Sequence, residues 1–230
     1  TFYYDYKNLQ STIVCNVIAP PVCLVAPQTV TTNAAKSTVY GAEGQFRWQA
    51  TDRLRFDGGV AYLHARYDRF QNANGFAPLT PTSTPACVLA NQDLCRNIAV
   101  SQDWSGQQLI RAPDWSANIS LSYEIPTSFG TFELNGNVSY VDHFQSDTDS
   151  LACTVPGCGV GLKPRLVVPA RTVTDLTVSW RVPGDHIEAS VFARNLFDKD
   201  YIFRTDGSTT GDYVIGAEPR VIGARLKYTY

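Results

Sequence analysis

The last twelve residues, Pro219–Tyr230 (PRVIGARLKYTY), restrict what this chain can fold into more than any other stretch. Ile222, Ala224, Leu226, Tyr228 and Tyr230 fall on one face, and Val221, Gly223, Arg225, Lys227 and Thr229 on the other. Alternation with period two predicts a strand with one apolar and one wetted face. A soluble sandwich would alternate in the same way. Two tyrosines at the strand end, on one face, suit a strand that finishes at lipid headgroup level, where Tyr is favoured.

Seven further stretches repeat the pattern. Thr1–Leu9 places Phe2, Tyr4 and Tyr6 on one face. Ser37–Ala50 sets Tyr40, Ala42, Gly44, Phe46 and Trp48 against Val39, Glu43, Gln45 and Arg47, and Arg53–Phe70 sets Leu54, Phe56, Val60 and Tyr62 against Arg53, Arg55 and Asp57. Strands are likewise predicted over Ile110–Ile125, Thr131–Gln145, Pro169–Arg181 and His186–Asn195. The wet faces carry Glu, Arg, Asn and Ser, including Glu43, Arg47, Arg55, Glu133, Arg181 and Glu188. A sandwich core could not bury such faces, whereas a water-filled lumen can hold them as ion-pair networks. Apolar faces that are aromatic at their ends and small or aliphatic between them suit a lipid band.

The connections alternate in length. Ser11–Ala35, Gln71–Leu109, Ser146–Val168 and Leu196–Glu218 are long and polar; Thr51-Asp52, Pro126–Gly130 and Pro183–Asp185 are short. Threading through one membrane produces this asymmetry, with short turns on the periplasmic side and long loops outside. The expected fold is therefore all-β, an antiparallel transmembrane β-barrel of about eight meander strands in this chain. Composition agrees: 230 residues, 17% charged, net charge −2, with 12 Tyr, 11 Phe and 4 Trp. No run of 18 apolar residues would make a spanning helix. The near-neutral charge argues against nucleic acid as a partner. Met is absent and Thr1–Gln10 has no leader character, so residues 1–230 are expected to be the C-terminal part of a longer barrel.

Six cysteines fall as three local pairs inside long connections: Cys15 with Cys23, Cys87 with Cys95, and Cys153 with Cys158. Six thiols allow 15 pairings, but intervening strands make the local one simplest. Loop disulfides suit the oxidising periplasm or cell surface. Zinc is the weaker rival, because a Cys-x₄-Cys pair without companion ligands is not its pattern.

Asn195–Tyr201 (NLFDKDY), followed by a loop and a PR-x₃-G-x-R-L-x-Y-x-Y ending, resembles the C-terminal end of TonB-dependent outer-membrane receptors. The residues that carry the resemblance are Asn195, Leu196, Phe197, Asp198, Tyr201, Tyr228 and Tyr230, the last standing where Phe is commoner. Gly41–Gly44 and Ala112-Pro113 add weaker similarities. The resemblance implies that these strands are the last third of a 22-stranded barrel, with the plug domain outside them. It further implies residence in the bacterial outer membrane and active uptake of a scarce ligand such as a ferric siderophore, cobalamin or an oligosaccharide. The implied partners are outer-membrane lipid, the TonB complex through the N-terminal region, and a small-molecule or iron-chelate ligand. The alternative is a complete eight-stranded barrel with a structural or adhesive role.

The loop aromatics Phe76, Trp104 and Phe144 are the candidates for ligand contact, unless they only crowd the rim. NLFDKDY itself reads first as a strand end that shapes the rim. His64 and His143 are expected near the outer rim and His186 at a periplasmic turn. None of the three has a nucleophile or metal motif around it, so no catalytic residue, metal site or cofactor is expected.

Overall fold

A computed structural model describes residues 1–15, 28–71, 73–78, 97–147, 166–184, 186–208 and 211–229. Every regular element among them is a strand: β1 (Phe2–Cys15), β2 (Gln28–Thr51), β3 (Leu54–Arg69), β4 (Ala73–Pro78), β5 (Asn97–Gln102), β6 (Trp115–Thr127), β7 (Gly130–Val141), β8 (Phe144–Gln145), β9 (Val167–Val168), β10 (Arg171–Arg181), β11 (Ile187–Arg194), β12 (Ile202–Ser208), β13 (Gly211–Gly216) and β14 (Val221–Tyr228). Eight of them form one sheet in the order β1-β2-β3-β6-β7-β10-β11-β14. Each neighbouring pair is antiparallel, and β1 and β14 are not hydrogen-bonded to each other. These are the eight expected strands in the expected order.

Register keeps the two faces separate from strand to strand. Phe46 faces Gly58, Trp48 faces Phe56 and Phe56 faces Leu121 on one side; Arg47 faces Asp57 on the other. On the apolar face, aromatic rings recur eight residues apart: Tyr40 and Trp48, Phe56 and His64, Trp115 and Tyr123, Phe132 and Tyr140. Eight residues of strand span about 26 Å, close to the height of an outer-membrane lipid band. Along the short-turn end, Trp48 stacks on Phe56 at 5.6 Å and Phe132 on Trp180 at 6.3 Å, and the Trp180 indole donates to the Phe129 carbonyl at 3.1 Å. Along the long-loop end, Tyr40 stacks on Tyr3 at 6.5 Å and on His64 at 4.5 Å, and Tyr62 lies 4.8 Å from Trp115. His64 thus stands in the outer aromatic girdle. Between the girdles the same face shows Val191, Ile222 and Leu226 exposed, a continuous apolar surface that water would not tolerate and lipid accepts.

Short turns close as the sequence predicts. Thr51 Oγ1 accepts from the Arg53 and Leu54 amides at 3.2 and 3.1 Å, and the Thr127 hydroxyl donates to the Gly130 carbonyl at 2.6 Å. His186 Nδ1 lies 2.9 Å from the Thr229 carbonyl, whose own amide donates to the His186 carbonyl, so His186 ties the last turn to β14.

Strand boundaries differ from expectation at the long-loop end. The first connection is not a loop from Ser11: β1 runs on to Cys15 and β2 begins at Gln28, paired Cys15 to Gln28, because the Thr- and Val-rich flanks fit a pleated ribbon. The fourth wall strand begins at Trp115 rather than Ile110, since Arg111 takes φ 57° and Pro113 offers no amide. The fifth stops at Val141, and Phe144-Gln145 leaves the wall to pair with Val167-Val168. The long connections also hold ribbons of their own, β4–β5 and β12–β13. The five cysteines beyond Cys15 lie outside the described residues, as does the side chain of Cys15, and so does Tyr230.

Candidate functional site

The polar face carries networks of paired groups. Arg47 and Arg55 both hold Asp57, at 2.5 and 2.8 Å. Arg181 bridges Glu133 at 3.6 Å and Glu188 at 4.0 Å. Asn135 donates to Glu133 at 2.9 Å and receives the Ser122 hydroxyl at 2.8 Å, and Asn137 donates to Ser120 at 2.8 Å. Such a face can line water but not hydrocarbon. Of the sequence-predicted charges, Arg47, Arg55, Glu133, Arg181 and Glu188 sit in these networks and Glu43 does not.

Charge on this face is sorted by height. On β2, β3, β6 and β7 its charged residues between the turns and the girdle are Arg47, Arg55, Asp57, Glu124 and Glu133 on the half nearer the short turns, and Glu43 one step below Gly41. Farther out the same face carries Val39, Gly41, Leu63, Ala65 and Val141. On β1 it carries Phe2, Tyr4 and Tyr6, opposite Gly41, Val39 and Ser37. The sequence shows these three sharing a face; register assigns that face to the polar wall rather than to the apolar one.

Above the girdle the connection into β6 folds back along β3. The Tyr67 amide donates to the Gln107 carbonyl at 2.9 Å, the Gly106 amide to the Tyr67 carbonyl at 2.6 Å, and the Trp104 amide to the Phe70 carbonyl at 2.8 Å. Trp104 is 0% exposed in a small core with Ala35, Tyr67, Phe70 and Ala73. Outside that core, Arg66 holds Asp114 with two hydrogen bonds at 2.9 and 2.6 Å. The Arg66 guanidinium, opposed by partial burial and aided by Gln108, keeps the Asp114 carboxyl below the usual carboxylate range. Phe144 is buried at the neighbouring loop base, where the Arg171 guanidinium lies 5.8 Å from its ring and 5.5 Å from that of Tyr201. Among the three aromatic candidates, then, Trp104 and Phe144 are packed into the rim and Phe76 is partly exposed on β4.

NLFDKDY forms a latch between the last two wall strands. Asn195, at φ 49°, leaves β11; its side chain donates to the Lys199 carbonyl at 3.0 Å and the Glu218 carbonyl at 3.4 Å and accepts from the Lys199 amide at 2.9 Å. Asp175 accepts from the Asn195 amide at 2.9 Å. Asp198, at φ 53°, accepts from the Arg220 amide at 3.0 Å and pairs with its guanidinium at 3.4 Å. Motif and Pro219-Arg220 are thus two halves of one junction. Leu196 and Tyr201 lie half-buried within it, and Phe197 points out. Sequence reasoning missed Asp114 and Arg220, whose partners are 48 and 22 residues distant. Among the described residues no group of three or more His, Cys, Asp or Glu side chains is placed to hold a metal ion.

The chain resembles solved outer-membrane receptors throughout. The ferric yersiniabactin uptake receptor FyuA from Yersinia pestis superposes with a TM-score of 0.61 at 16% identity over 86% of this chain and 24% of its own. The siderophore receptor PiuA from Acinetobacter baumannii gives 0.56 at 18% identity, over 86% and 23%. The ferric-catecholate import receptor Fiu from E. coli K12 gives 0.57 at 15% identity, over 99% and 24%. The chain therefore spans about a quarter of the length of each. The TonB dependent receptor-like β-barrel family matches residues 1–196. With a lipid-facing band between two aromatic girdles and a polar luminal face, the chain belongs to the TonB-dependent receptor family, as barrel wall in the bacterial outer membrane.

Proposed function

We propose that this wall serves a receptor that takes up a ferric chelate across the outer membrane, driven by the TonB complex. The plug domain and the TonB-contacting segment would lie outside these 230 residues. The observation that carries the reading is the polar face of the wall, with its ion-pair and hydrogen-bond networks suited to an aqueous path through lipid, together with family membership over residues 1–196. The solved receptors it resembles are described as uptake or import receptors for iron chelates, which is why iron is the cargo chosen over cobalamin or an oligosaccharide. Of the three candidate aromatics Phe76, Trp104 and Phe144, Phe76 is the one with surface left for a ligand.

The test is uptake of radiolabelled iron by cells that express the full-length receptor as their only outer-membrane iron receptor. Uptake should depend on the receptor and stop when the proton gradient across the inner membrane is collapsed. Iron accumulation that survives collapse of the gradient, or that is equal without the receptor, would overturn the proposal.

A further inference from the structure

We infer that the connections between β3 and β6, between β7 and β10, and between β11 and β14 open and close as one body, held by a buried clasp of Gln108, Gln145, Ser146 and Thr205. The inference holds for any cargo. Gln108 bridges to Arg66 of β3, and its side chain donates to the Ala112 carbonyl at 2.8 Å and the Asp114 carboxylate at 3.3 Å. The same side chain accepts from the Gln145 amide at 3.2 Å, and the Arg111 amide donates to the Gln145 carbonyl at 2.8 Å. Both backbone groups of Gln145 are therefore held by the first of the three connections. One residue on, the Ser146 amide donates to the Leu166 carbonyl at 2.8 Å, and the Ser146 hydroxyl accepts from the Thr205 amide at 3.1 Å. Bonds at consecutive residues thus join three stretches that are remote in sequence.

Burial makes the clasp cooperative. Gln108, Gln145, Ser146 and Thr205 are 8%, 9%, 2% and 3% exposed. A connection that swung out alone would leave a buried amide, carbonyl or side-chain amide behind it with no partner, which is the costly way to break a hydrogen bond. Moving all three together keeps every bond across the clasp. A tie of different chemistry joins the second and third connections again. The Arg171 guanidinium lies 5.8 Å from the ring of Phe144, next to Gln145, and 5.5 Å from the ring of Tyr201, which leads into β12. A contact made on the β4–β5 ribbon is thereby carried to the β12–β13 ribbon, two connections away.

The experiment is hydrogen exchange on the full-length receptor in detergent micelles, comparing Gln108→Leu and Ser146→Ala with wild type. Gln108→Leu keeps the bulk of the side chain and removes its bonds in the first connection. The Thr205 and Ala217 amides lie in the third connection and are bonded to Ser146 and Tyr201, not to Gln108. Their protection should nevertheless fall about fivefold, the size of one hydrogen bond. Ser146→Ala should lower the protection of the Tyr67 and Leu109 amides by a similar factor, since coupling between two sites runs both ways. The wall amides of β6 and β7 should keep their protection in both variants. Loss confined to the connection that carries the substitution would overturn the inference. Equal loss in the wall would overturn it too, because the connections would then have no opening of their own. If Gln108→Leu does not assemble, Ser146→Ala read at Tyr67 and Leu109 decides by the same outcomes. Each of these results leaves the uptake proposal standing.

Discussion

Asn195 holds its left-handed backbone with three side-chain hydrogen bonds, and Asn is among the few residues that adopt that conformation readily. Asn195→Ala removes all three bonds and leaves an alanine where it is disfavoured; at about 1 kcal/mol for each, the latch should lose about 2–4 kcal/mol. Limited proteolysis of the full-length receptor after Lys199 should accelerate accordingly. Asn195→Asp keeps the acceptor for the Lys199 amide and should fall between the two. Asp114 gives the pH counterpart. Its folded carboxyl is held below the ordinary value, so the stabilisation is present above about pH 4 and is lost as pH falls through the lowered folded value. Protection of the Tyr67 and Leu109 amides, which tie β3 to the segment that Asp114 anchors, should therefore fall in acid once exchange is corrected for its own slowing at low pH, and should fall in Asp114→Asn at neutral pH. Protection factors that stay constant from pH 7 to pH 3 would refute that linkage. The two sites differ in how far the sequence revealed them. Asn195 stands in a recognisable run of seven residues, whereas the pairing of Arg66 with Asp114 spans a connection whose path no local pattern dictates.

At the level of strands, an aromatic over a glycine recurs as a device that fixes register. Phe192 faces Gly223, and a Cβ on Gly223 would lie 2.5 Å from the Phe192 ring. Gly223→Val should therefore displace the ring and destabilise the β11–β14 pair by about 1–3 kcal/mol. Phe192→Ala should relieve the clash, so that the double variant is more stable than the two single losses added together predict. Additive losses in urea unfolding would show that ring and glycine are not coupled. Eight wall strands were legible because membrane-facing strands must alternate, and the alternation of Ile222, Ala224, Leu226 and Tyr228 against Arg225 and Lys227 is that requirement written out. The ribbons β4–β5 and β12–β13 were not legible for the converse reason. Outside lipid both faces of a ribbon can be wet, so Ile202–Ser208 carries no period-two apolar signal. Hydrophobicity also misleads on β1. Its ring-bearing face suggests lipid, but the register Tyr3 to Tyr40 and Phe2 to Gly41 gives lipid only Tyr3 of these four aromatics' β1 members and turns Phe2, Tyr4 and Tyr6 inward.

Across the whole sheet, one consequence of the topology reaches beyond any single strand. The seven antiparallel pairings leave one edge of β1 and one edge of β14 without a partner in the sheet. Unpaired backbone amides and carbonyls in hydrocarbon cost several kcal/mol each, and β14 alone runs for eight residues between the lipid interfaces. The other open edge in hydrocarbon is the flank of β2 below Gly41, where pairing with β1 ends, and the two edges outweigh what the lipid-facing band of Val191, Ile222 and Leu226 can recover, because lipid is no better a solvent for a flat sheet than for a closed one. Residues 1–230 produced alone should therefore not insert as an open sheet. They should aggregate through their edges, or bend until the free edges of β2 and β14 pair. The measurement is refolding of the isolated polypeptide into detergent micelles, followed by sizing and by heat-dependent mobility on a gel. Aggregation, with recovery only when the remaining wall strands of the receptor are supplied, fits a wall that needs its neighbours. A monodisperse species that resists heat and denaturant, with β2 cross-linked to β14 through engineered cysteines at Trp48 and Leu226, both at the short-turn girdle, would mean that eight strands close by themselves. A lumen that narrow would be filled by its own Glu, Arg and Tyr side chains. The wall would then be a small structural barrel, and the uptake proposal would fall with it.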